Sequence, residues 1–192
     1  MSTPAITKIL IIYIVCFLSL FSESLAKTIV TKTSKRFIPI EIDGCAAIMN
    51  VSASTNGISI INTTILHEKK LIKIPIPILT TDYNSIAENL VKCVAWSINC
   101  KLHKLNVKKE LNTYKLKNED GDYISMKILF ESSDEGKISH TILEYKCSTI
   151  NGSYSTSLTP SQTYKLAYLI KEIPALEAAA KKEAKKADEL LK

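Results

Sequence analysis

The residues of this chain whose types could do chemistry are its cysteines, its three histidines and a cluster of lysines. Cys45, Cys93, Cys100 and Cys147 lie in the body of the chain, and Cys16 lies within its apolar start. In an oxidising compartment, an even set of four cysteines implies two disulfides. The sequence therefore predicts these four as a structural framework. No CxxC pair is present to hold a metal, and oxidised cysteines leave no thiol nucleophile. His67, His103 and His140 fall one per element, without HExxH or any other ligand spacing. GxSxG, P-loop and GxGxxG patterns are also missing. No catalytic, cofactor-binding or metal-binding residue is nominated, and no cofactor is expected. Asn118 to Asp122, NEDGD, looks like a calcium loop, but its glycine is misplaced for an EF-hand, so a hairpin turn is the better reading.

Lys101, Lys104, Lys108, Lys109, Lys115 and Lys117 face a single acid, Glu110, across 17 residues. They form a candidate patch for an anionic partner, set against the simpler reading of a solvated helix end and loop. Nucleic acid is a poor match: all but one of the 25 basic residues are lysine, and few aromatics are interleaved. Trp96, the only tryptophan, is either core or a contact residue. Three Asn-x-Ser/Thr sequons begin at Asn50, Asn62 and Asn151; alone they decide nothing about the host.

The element that would position the cysteines is the run from Asp82 to Lys104. Ile86, Leu90, Val94 and Ile98 recur every four residues, which is helical spacing. Thr81 or Asp82 could cap its start. On an unbroken helix Cys93 and Cys100 lie ~10.5 Å apart along the axis, beyond the ~7 Å a disulfide can span. Each would need another partner, leaving Cys45 and Cys147 each bonded to the helix, at roughly 2–4 kcal/mol of stabilisation per closure.

Residues 1–26 read as a secretory signal peptide. Lys8 precedes an uncharged run from Ile9 to Phe21, and Ser24-Leu25-Ala26 offers small residues at a cleavage site. The run is shorter than the ~20 apolar residues of a membrane span. Removal of Lys8 and Glu23 leaves the net charge at +6. The expected location is periplasmic or secreted, with no transmembrane segment after cleavage.

The remainder, 46% hydrophobic and 23% charged over the whole chain, reads as globular. Ile38, Ile40 and Ile42 alternate with polar residues or proline, as do Ile72, Ile74, Ile76 and Ile78. The prolines in the second run suit an edge strand. Asn56-Gly57 and Asp120-Gly121 signal hairpin turns. Ile124, Met126, Ile128 and Phe130 mark the cleanest strand, and Ile138 to Ile150 follows as its neighbour. Thr159-Pro160-Ser161-Gln162 is a helix start with a capping box. Pro174 should break or kink that helix. The tail from 175 to 192 carries Ile173, Leu176, Ala180, Ala184, Ala187 and Leu191 at coiled-coil-like spacing, as a solvated helix or a partner-binding and self-associating one. No internal sequence repeat is evident.

The expectation is an α+β fold: an antiparallel sheet on one long central helix, disulfide-stapled, with a C-terminal helical extension. The domain runs over 27–158, the capped helix over 159–173 and the tail over 174–192. The expected function is an exported, non-catalytic protein-interaction module docking another protein in the envelope or at a cell surface. The alternatives are a small secreted or periplasmic hydrolase, and a binder of an anionic ligand or membrane surface through Lys101 to Lys117.

Overall fold

Alternation of apolar and polar residues builds two antiparallel sheets here, where a single sheet was expected. The computed structural model describes residues 29–42, 45–56, 58–67, 70–79, 82–117, 123–147 and 153–190. The signal-peptide reading, the Gly57 and Asp120-Gly121 turn residues and the NEDGD stretch fall outside these, wholly or in part.

The first sheet contains β1 (Thr31–Thr33), β2 (Ile38–Ile42), β3 (Cys45–Ser54), β4 (Ile58–His67) and β5 (Lys70–Leu79). β1 and β2 pair in succession along one edge of β3, and β4 and β5 follow on the other side. Pro75 and Pro77 of β5 stand opposite Asn62 and Ile60. An edge strand tolerates their missing amide donors. Helix α1 (Tyr83–His103) comes next.

The second sheet repeats the plan. β6 (Val107–Lys117), β7 (Tyr123–Ser133), β8 (Ile138–Cys147) and β9 (Ser153–Leu158) pair as a simple meander. Helix α2 (Pro160–Lys171) follows, and α3 (Ile173–Leu190) closes the described chain. A four-stranded meander followed by a helix thus occurs twice, as β2–β5 with α1 and as β6–β9 with α2, with β1 added to the edge of the first sheet and no matching sequence repeat. The stretch from Val107 to Lys117 is a strand rather than a loop, with a bulge between Glu110 and Asn112.

The buried faces follow the strand period of two. Ile38, Ile40 and Ile42 lie inward, with Met49 opposite Ile38 and Ala47 opposite Ile40. Met126, Ile128 and Phe130 do the same in the second sheet, alongside Leu143 and Tyr145. α1 and α2 pack on each other and contribute Ile86, Leu90, Leu166 and Ile170 to one continuous core with both sheets. The expected single central helix is therefore a helix pair. Gln162 Nε2 donates to the Pro39 carbonyl at 2.7 Å, tying α2 to β2.

The buried line on α1 runs Ile86, Leu90, Cys93, Ser97, Cys100. Its alternating steps of four and three stay on one face. The line Ile86, Leu90, Val94, Ile98 advances ~40° at each step of four. By Ile98 it has rotated into solvent, where that side chain is 64% exposed.

At the α1 terminus Asp82 makes no side-chain cap, whereas Thr159 at the start of α2 forms the full capping box with Gln162. α2 ends at Lys171, and the chain bends through Glu172 into α3. Pro174 sits in the first turn of α3, where its missing N–H costs nothing. The tail does not stand off as a solvated or self-pairing helix. Ile173, Glu177 and Ala180 are buried against β3 and β1, with Leu176, Ala184 and Ala187 half-buried. Buried Ser59 Oγ donates to Glu177 at 3.3 Å, and Lys32 pairs with Glu183.

Two contacts seat α1 on the second sheet. Ser132 Oγ accepts from the Val107 amide and donates to the Leu105 carbonyl, each at 2.9 Å. Gly136, at φ +77°, lies in the β7–β8 turn against the end of α1. A Cβ there would lie 2.1 Å from the Cys100 carbonyl oxygen. Gly136→Ala is therefore expected to destabilise the fold by at least ~2 kcal/mol, adding left-handed strain to a backbone clash. Thermal unfolding of wild type and variant checks this.

Candidate binding groove

The chain between β1 and β2 is short and polar, and it is held by one acidic residue. The Ser34 amide bonds the Val51 carbonyl at 2.8 Å. Ser34 Oγ accepts from the Arg36 amide at 3.2 Å and donates to Glu172 at 3.4 Å. The Arg36 guanidinium lies 3.4 Å from the other Glu172 oxygen. Glu172 occupies the junction of α2 and α3, so the loop is drawn over α2 from that point.

The same guanidinium lies 4.8 Å from the Tyr168 ring centroid, within cation–π range. Contact with the Tyr168 side chain, and then the Glu172 charge, push the Arg36 pKa up from its ordinary value. Tyr164 lies one turn before Tyr168 on the outer face of α2. Phe37 projects from the loop opposite.

Between them is a groove of about 600 Å³, lined by Arg36, Phe37, Ile38, Tyr164, Lys165, Tyr168 and Leu169. Ile38 and Leu169 form a buried floor, while Phe37, Tyr164 and Tyr168 are 55%, 58% and 44% exposed. An adjoining hollow of about 410 Å³ shares Arg36 and continues past Lys32, Lys35 and Glu172 to Leu176 and Ala179 of α3. Three exposed rings, a fixed guanidinium and further lysines suit an apolar segment that carries negative charge.

None of these groove residues stood out in the sequence. Two signals were there: Arg36 is the only arginine, and Tyr164 and Tyr168 lie off the Leu166, Leu169, Ile170 stripe, one turn apart.

The nominated residues are arranged differently. Cys93 and Cys100 are free thiols, 1% and 4% exposed. No disulfide forms among the described residues, which corrects the expected bolts from the helix to Cys45 and Cys147. The reason is geometric: both helix cysteines face the common core, where they pack as small apolar groups. Cys45 opens β3 opposite Ile42. Cys147 pairs by backbone with Ile124, and its side chain lies outside the described residues. Burial pushes the Cys93 thiol up to about 11, against a weaker opposing hydrogen bond with Thr141.

Of the six nominated lysines, the five whose side chains are described are spread along the end of α1 and the length of β6. Lys101 and Lys104 sit exposed at the end of α1. Lys108 pairs with Glu131 at 3.6 Å. The Lys109 and Lys92 ammonium groups lie 5.1 Å and 5.3 Å from the Trp96 ring centroid, and that ring meets Phe130 edge-on at 5.7 Å. Trp96 is thus half-buried between core and solvent. Lys115 lies seven residues beyond Lys108, ~23 Å along the strand. Its neighbour Tyr114 instead meets the start of α1, through Ser85 at 3.0 Å and Asn89 at 2.7 Å. Lys117 ends β6, and its side chain lies outside the described residues.

His103 is exposed at the α1 end, and buried His140 Nδ1 has no hydrogen-bond partner. Among the described residues no group of three or more His, Cys, Asp or Glu could hold a metal. Lys127 lies between Glu110 at 3.3 Å and Glu144 at 3.9 Å on the outer face of the second sheet. Thr113 and Lys127 hold Glu110 below its ordinary pKa. Such exposed pairs contribute little. No helix among the described residues is long and apolar enough to cross a membrane. No protein-family model and no curated protein matches the chain.

The thiols give a direct test. Native protein treated with iodoacetamide near pH 8 is expected to keep Cys93 and Cys100 unmodified, and guanidinium should expose both. Peptide mass mapping reads the result. The pH sign is also fixed. A thiol that ionises near 9 when unfolded and near 11 when folded contributes stability below pH 9. That contribution is lost as pH rises through 11.

Proposed function

We propose that this chain is an exported, non-catalytic protein-interaction module. It binds an extended, acidic and apolar segment of another protein along the Arg36 groove. The observation that carries this reading is one groove lined by Phe37, Tyr164 and Tyr168 together with Arg36, whose guanidinium pairs with Glu172 and lies over the Tyr168 ring. Exposed aromatic rings with an adjacent arginine are the composition of contact hot spots. Glu172 holds the guanidinium in place before a ligand arrives, which reduces the ordering cost of binding.

The groove reads charge through Arg36 and Lys165, with Lys35 on the adjoining hollow. It reads shape through the two tyrosines one helical turn apart. The signal peptide expected at residues 1–26 supports an interaction in the periplasm, in the cell envelope or outside the cell. The tail contributes by covering β3 and lining the adjoining hollow rather than by reaching for a partner itself.

Selection of a random peptide library on the immobilised protein tests this. Enrichment of sequences combining acidic and apolar residues is expected. Tyr164→Ala/Tyr168→Ala should weaken the selected peptides at least ~10-fold and leave circular dichroism unchanged, since both rings are exposed. Enrichment of basic peptides, or unchanged affinity in the double variant, would contradict the assignment.

A further inference from the structure

The end of α1 presents a surface of a different kind. Ile98, Leu102 and Leu105 are 64%, 72% and 46% exposed. Ile98 and Leu102 lie one turn apart on the face that the helix pair leaves outward. Lys101 and Lys104 are exposed among them, and no carboxylate among the described residues lies within ion-pairing distance of either. Beside Leu105 is a hollow of about 270 Å³ lined by Trp96, Asn99, Cys100, Val107, Lys109 and Phe130.

We propose that this surface docks the protein on an anionic lipid bilayer. Ile98 and Leu102 stand out at a helix end and line no described hollow, while Leu105 lines the edge of the hollow beside it, so the pair suits a yielding apolar medium more than a rigid partner. The lysines carry the complementary charge, and their long stems let the ammonium groups reach headgroups while Ile98 and Leu102 enter the acyl boundary. Trp96 is not part of this face: it lies ~160° round the helix from Ile98, against Phe130 and Lys109 of the second sheet. The last acid of α1 is Glu88, exposed in the first half of the helix, so the final turns carry no acid of their own; the β7–β8 turn against them carries Asp134, paired with Lys137, and exposed Glu135. Contact is therefore made by those turns and not along the whole helix. This surface uses none of the Arg36 groove residues, and its test stands apart from the groove reading.

Flotation of the exported protein with vesicles checks the proposal. Phosphatidylcholine vesicles are compared with vesicles carrying about 30 mol% phosphatidylglycerol. Binding to the anionic vesicles alone is expected, weakened in about 0.5 M salt. Lys101→Glu/Lys104→Glu and Leu102→Glu should each lower the partition coefficient at least ~10-fold. Lys146→Glu, exposed on β8, should leave it unchanged. Equal binding of wild type and Lys101→Glu/Lys104→Glu, or equal binding to neutral vesicles, would overturn the proposal. So would a wild-type dimer dissolved by Leu102→Glu without vesicle binding, which would assign the face to a second copy of the chain.

Discussion

The packing of α1 against α2 is the constraint on which the rest of the structure depends. Each helix follows its own meander, and each must bury one face. They bury it together, with Ile86, Leu90 and Cys93 on one side and Leu166, Ala167 and Ile170 on the other inside a single core. Both sheets then lay their inward rows on this pair. The choice of buried face also fixes what remains outside. On α2 that remainder includes Tyr164 and Tyr168. On α1 it includes Ile98 and Leu102.

The two outward faces are built for different recognition tasks. The α2 face is concave because the Ser34–Phe37 loop closes over it. That loop is positioned by Glu172, the residue at which the chain turns from α2 into α3. The α1 face is convex, and it ends where Gly136 and Ser132 pin the helix to the second sheet. The concave aromatic site is the one proposed to take a chain segment, and the apolar end of α1, flanked by Lys101 and Lys104, the one proposed to meet a bilayer.

Local signals were legible wherever one residue pattern decides the structure. The strand from Tyr123, the capping box at Thr159, the edge character of the proline-rich β5 and the extent of α1 could all be read from spacing. The second sheet was harder to see. β6 is an exposed edge strand interrupted by a bulge, so its lysines mask the alternation. β9 is short and built from serine and threonine. The topological repeat left no trace because burial constrains residue character and not identity. Cysteine count misled, since it reports compartment chemistry while the packing of α1 determines where Cys93 and Cys100 point. The groove was illegible for a related reason. Arg36 and Tyr168 are 132 positions apart, and the packing of β2 on α2 together with the Glu172 turn brings them together.

If the helix pair is the common core, its backbone should open only when the whole chain unfolds. Native-state hydrogen exchange measures this directly. The amides of Ile86–Cys100 in α1 and of Thr163–Ile170 in α2 are expected to exchange at one shared free energy, equal to that of global denaturation. Exchange of either helix at a clearly lower free energy than the other would contradict a shared core.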